Sequence, residues 1–175
     1  MTYLAAACQG LLIAVLAVSA ASKVGRRADF QDFVASLRRT GLVQASTARV
    51  AAMAVVLTEG SAVLMLLLPS TRRVGFVVAG LLLAVLTAGV AVIVRHGSQV
   101  TCRCFGASDA PLRIRHVIRN GILTMAAVVG VITRAQAFDA TAVVVVLIGA
   151  VCAVPAIFLD DFVELFRPPS TQVHR

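Results

Sequence analysis

Tryptophan is missing from this chain, tyrosine occurs once, and charged residues make up only 14%. Soluble domains carry roughly 25% charged residues, so this shortage excludes an ordinary water-soluble fold. With 59% hydrophobic residues and a mean hydropathy of +0.94, the chain reads as an all-α, polytopic integral membrane protein with one helical bundle. Lys and Arg are also lacking at the start, Met1-Thr2-Tyr3. A cleaved signal peptide needs a basic leading segment, so we expect the first apolar run to be retained, although Val18-Ser19-Ala20 resembles a cleavage site. No basic cluster is interleaved with aromatics, which argues against nucleic acid as a partner. The formal net charge of +8 is better read through membrane orientation and anionic headgroups. No long internal repeat is apparent.

What is present is a series of apolar runs. We expect a single transmembrane bundle over residues 1–159, with spans near 3–22, 50–68, 74–94, 116–133 and 141–159, and a polar tail over 160–175. Each run approaches the roughly twenty residues needed to cross ~30 Å of hydrocarbon. Between the first two spans, Phe30, Phe33, Val34 and Leu37 fall at helical spacing. Asp29 precedes them, Arg38 and Arg39 follow, and Gly41 can end the helix. This predicts a short amphipathic helix, lying in the interface or packed on the bundle. Ala6, Gly10 and Ala14, and likewise Gly80, Ala84 and Ala88, recur at a spacing that lets helices approach closely in lipid.

Two polar features interrupt this pattern. Thr101-Cys102-Arg103-Cys104-Phe105-Gly106 lies in the loop between the third and fourth spans. A disulfide between cysteines two apart closes a small ring, and strained, exposed disulfides tend to exchange. Arg103, with Arg95, Arg113 and Arg115 nearby, would favour the nucleophilic thiolate. Metal binding is the rival: Cys102, Cys104, His96 and His116 could hold Cu(I) or Zn(II). The spacing is not the common two-residue zinc pattern, and no second cysteine pair follows. Structurally inert thiols are the remaining possibility. Cys8 and Cys152 fit small apolar core residues. The second feature is Glu59, a carboxylate within an apolar span, where it needs a partner or a cavity. Lys23 and Arg119 should lie on one membrane side, with Glu59 about nine residues or ~13 Å below it. Pairing therefore requires a cationic helix end that sits deep. Such a cluster could clamp the bundle, transfer protons or border a cofactor.

The order Ser22-Lys23, Glu59-Gly60, Thr101-Cys102-Arg103-Cys104-Phe105-Gly106 and Arg119-Asn120 resembles the methylamine-utilisation MauE family, grouped with DoxX-like membrane proteins. The resemblance covers roughly residues 5–133 and implies a four-helix membrane core, here extended by a fifth C-terminal span. It also implies a plasma-membrane, multi-pass protein that serves the maturation of other proteins beside a thioredoxin-like partner. Cys102 and Cys104 carry over as the redox pair, with Arg103 between them. Lys23, Glu59, Arg119 and Asn120 form the expected buried polar cluster. A quinone is a possible electron acceptor by chemical analogy with other membrane thiol oxidases. The alternative function is a non-enzymatic subunit or scaffold of a larger complex.

Charge distribution bears on orientation. With five spans, thirteen Lys and Arg share the cysteine-loop side, while Arg72, Arg73 and Arg134 occupy the other. The positive-inside rule then places the loop in the cytoplasm. A maturation role implies the outer face, where disulfides persist.

Overall fold

The computed structural model describes residues 2–95, 114–133 and 140–155. Among these, all regular structure is helical, in the order α1 Thr2–Val24, α2 Arg27–Arg39, α3 Ala48–Leu67, α4 Arg72–Arg95, α5 Ile114–Ile132 and α6 Ala140–Val151. Four of them, α1, α3, α4 and α5, are long and apolar enough to cross a membrane. The chain is therefore a multi-pass helical membrane bundle with one shorter apolar helix added.

Local chemistry explains where these helices stop. Gly41 adopts φ 68° just after α2, a left-handed conformation that glycine takes without a Cβ penalty. Leu68 is extended with ψ 125°, as expected for a residue preceding Pro69. The tight connection that follows brings α4 back along α3. Its closeness depends on Gly75, where an added Cβ would lie 2.8 Å from the Leu66 backbone nitrogen. Helix α6 is interrupted by a turn at Cys152, because Pro155 has no N–H and its ring crowds the carbonyl four residues earlier.

The core is built of Leu12, Val15, Leu66, Phe76, Leu83, Leu123, Ala127 and Ala153. Glycine makes the tightest crossings possible. A Cβ on Gly10 would collide with the Val146 carbonyl, and one on Gly149 with the Ala7 carbonyl. The small residue expected to admit a close neighbour at Gly10 thus does so, and its neighbour is α6. Gly130 similarly faces the Phe76 ring, and Gly80 faces the Ala127 methyl.

The same contacts set the direction of α6. Gly10 meets Val146 and Ala7 meets Gly149, so numbering rises along α6 as it falls along α1. The two helices are antiparallel, and the described end of α6 approaches the N-terminal end of α1. At 12 residues, α6 is about 18 Å long. Residues 156–159 of the expected fifth span, and the tail, lie outside the described residues. Among the described residues, the fifth apolar run is present as this shorter helix.

Helix α2 turns its apolar face onto α3. Phe33 and Val34 are buried with Ala48 and Ala52, and Phe30, Leu37, Val55 and Val56 pack around them. The amphipathic helix is therefore packed on the bundle, covering the first turns of α3.

Candidate functional site

The buried charges form a compact site at the junction of α1, α2 and α3. Lys23, in the last turn of α1, is 2% exposed, and Glu59 is fully buried. Lys23 Nζ donates to Glu59 Oε1 at 2.7 Å and to Oε2 at 2.9 Å. It also donates to Ser19 Oγ at 2.6 Å and approaches the Ser19 carbonyl at 3.2 Å. The Ser19 hydroxyl donates in turn to Glu59 Oε1 at 3.0 Å. Both carboxylate oxygens are thus satisfied, and the ammonium is surrounded by acceptors. Such saturation is what lets an ion pair persist where water is excluded.

The geometry answers the question of depth. Glu59 lies eleven residues into α3, about 16 Å from the helix start. Lys23 reaches it because α1 ends at Val24 while α3 continues beyond that level. The space above is occupied by α2, whose Phe33 ring centroid lies 5.2 Å from Lys23 Nζ. An aromatic face near an ammonium is attractive and keeps solvent away.

Arg119 and Asn120 sit in the first turns of α5 and are 7% and 3% exposed. The hydrogen bonds of Lys23 and Glu59 described above run within the α1–α3 pair and include neither residue. The Asn120 side-chain oxygen is buried without a hydrogen-bond partner among the described residues. His116 and Arg115 are half-buried one turn earlier. Cys102, Arg103, Cys104 and His96 lie outside the described residues. Among those described, no group of three or more His, Cys, Asp or Glu could hold a metal.

Among the buried polar residues that sequence reasoning missed are Ser19 and Gln9. Ser19 is four residues before Lys23, so both point to one helix face, and that spacing was the available signal. Gln9 lies in the uncharged first run, yet is 3% exposed. Its amide donates to the Leu66 carbonyl at 2.7 Å and accepts from Arg72 Nη1 at 3.5 Å. An amide in an apolar span is itself a signal of this kind. Gln9 ties α1 to the α3–α4 turn at the end of the bundle opposite Lys23.

Cys8 is half-buried on α1, and Cys152 is exposed beyond α6. Since α6 runs antiparallel to α1, Cys152 belongs to the Gln9 end. Arg95, which precedes the cysteine loop in sequence, ends α4 at the Lys23 end of the bundle.

Residues 1–133, about three quarters of the chain, match the family model described as methylamine utilisation protein MauE. No curated protein and no solved structure is matched.

Proposed function

From the chain's membership of the MauE family, which it joins through residues 1–133, we propose that this membrane protein is a thiol-redox carrier of the plasma membrane. It passes electrons between a thioredoxin-like partner and a second acceptor during maturation of other proteins. The observation that carries this reading is Cys102-Arg103-Cys104-Phe105-Gly106, placed between α4 and α5 and within the family match. Two thiols beside a guanidinium favour the thiolate, which is the form that attacks disulfides.

In the oxidising direction, a partner thiolate attacks one sulfur of the Cys102–Cys104 disulfide. A mixed disulfide forms and the other loop sulfur leaves as a thiolate. The second partner thiolate then displaces the loop cysteine, leaving the partner oxidised and both loop cysteines reduced. Their two electrons and two protons pass to an acceptor of the quinone class, which becomes a quinol while the loop disulfide re-forms. The Lys23–Ser19–Glu59 network supports a structural part in this scheme: its donors and acceptors are already engaged with each other, so it holds α1 to α3.

Thiol labelling in intact cells with a membrane-impermeant reagent tests the reading, in a Cys8→Ala/Cys152→Ala background. Labelling of Cys102 and Cys104 only after prior reduction is expected. Labelling only after lysis would place the pair in the cytoplasm and overturn the maturation role. Cys104→Ser should also abolish thiol-dependent quinone reduction; unchanged activity would remove that cysteine from the mechanism.

A further inference from the structure

A cleft of about 450 Å³ opens between α2 and the start of α3, at the Lys23 end of the bundle. Its apolar wall is formed by Phe30, Val34 and Ala35, and its polar rim by Arg38, Ser46 and Arg49. Arg38 comes from the last turn of α2 and Arg49 from the first turn of α3, so two guanidinium groups face one opening from different helices. Both are exposed, and among the described residues no carboxylate forms an ion pair with either. Two guanidiniums above an apolar wall suit a phosphate carried on a greasy body.

The surface below the cleft continues the same logic. Arg49, Met53 and Leu57 follow one another at four-residue spacing, so they share one face of α3. Val50, Met53, Leu57 and Leu64 are all exposed, Leu57 at 65%. A charged opening thus leads directly onto an apolar track that runs down the helix into the bilayer.

We propose that this cleft binds the headgroup phosphate of an anionic phospholipid, with Arg38 and Arg49 as its ligands and the acyl chain laid along Val50, Met53 and Leu57. Lipid is the favoured occupant because the cleft opens onto exposed apolar residues of a membrane-spanning helix. A soluble phosphate would engage only the two arginines, whereas a lipid would engage both the arginines and the apolar residues below them. Occupancy would bridge α2 to α3 from outside and so hold Phe33 over the Lys23–Glu59 pair.

Native mass spectrometry of the full-length protein in detergent micelles tests this, titrating phosphatidylglycerol, phosphatidylcholine and inorganic phosphate separately. One phosphatidylglycerol should bind in preference to phosphatidylcholine and raise the thermal midpoint. The Arg38→Gln/Arg49→Gln variant should bind it about thirtyfold more weakly, which is ~2 kcal/mol at 1.4 kcal/mol per tenfold. Arg26→Gln/Arg27→Gln removes the same charge at the same end but outside the cleft, and should bind as the wild type does. Leu57→Gln should weaken phosphatidylglycerol while leaving the lipid-free midpoint near the wild-type value. Equal losses in the two arginine double variants would reduce the effect to general surface charge and overturn the site. Stabilisation by inorganic phosphate equal to that by the lipid would overturn the lipid assignment. Unaltered phosphatidylglycerol binding by Arg38→Gln/Arg49→Gln would overturn both.

Discussion

Lys23 and Glu59, thirty-six residues apart, meet at 2.7 Å inside the bundle, where neither has appreciable contact with solvent. Their pairing joins α1 to α3, and Ser19 bonds to both partners. Removing one charge leaves the other buried without this partner, whereas removing both abolishes the imbalance and leaves only the Ser19 hydroxyl to be satisfied. Lys23→Met or Glu59→Leu alone should destabilise the bundle by about 3–5 kcal/mol, and the double variant should recover most of that loss. Unfolding in detergent micelles measures it. A double variant as unstable as either single one would mean that the pair does more than neutralise itself.

Phe33 covers this pair from α2. Phe33→Ala should cost about 3–5 kcal/mol and open the lysine to solvent. Lys23 is the chain's one lysine, so an amine-reactive reagent followed by peptide mapping reads its exposure without ambiguity. Phe33→Leu, which restores the apolar cover, should keep Lys23 unreactive. Equal protection in Phe33→Ala and wild type would show that the ring is not the barrier.

At the α1–α6 crossing there is no room for a side chain. Gly10→Ala and Gly149→Ala each place a methyl against a backbone carbonyl of the other helix, and backbone cannot swing aside as a side chain does. Each should lower the thermal midpoint and expose residues of α6 to protease. Gly60 offers the control: nothing lies within 4 Å of its added Cβ. Gly60→Ala should be neutral or stabilise by up to about 1 kcal/mol, because alanine is the better helix former. Similar losses at all three positions would argue against a close α1–α6 contact.

Cys152 lies at the Gln9 end of the bundle, and α4, which precedes the cysteine loop in sequence, ends with Arg95 at the Lys23 end. Cys152→Ala should therefore leave thiol-dependent electron transfer within about twofold of wild type, measured beside Cys104→Ser. A large loss in Cys152→Ala would require a relay through the bundle and contradict the direction of α6.

Much of this architecture is legible in local pattern. The uncharged run from Tyr3 to Ser22, the Phe30, Phe33, Val34 and Leu37 spacing, and the Pro69 stop announce helices without reference to anything distant. Glu59 likewise marks itself, since a carboxylate in an apolar run needs compensation. Gln9 and Ser19 carried weaker versions of that signal: an uncharged amide and hydroxyl blend into a helix until their partners are known.

The sequence by itself thus determined the solvent of this protein, its helical class and the family to which it belongs, because hydropathy, helix periodicity and motif order are properties of neighbouring residues. Only the tertiary structure decided that Lys23 descends to Glu59, that α2 closes over them, and that α6 runs back along α1. Each of these depends on which helix faces meet and at what depth. That is settled by close packing and by the need to neutralise a buried charge, and those forces act between residues the chain keeps far apart.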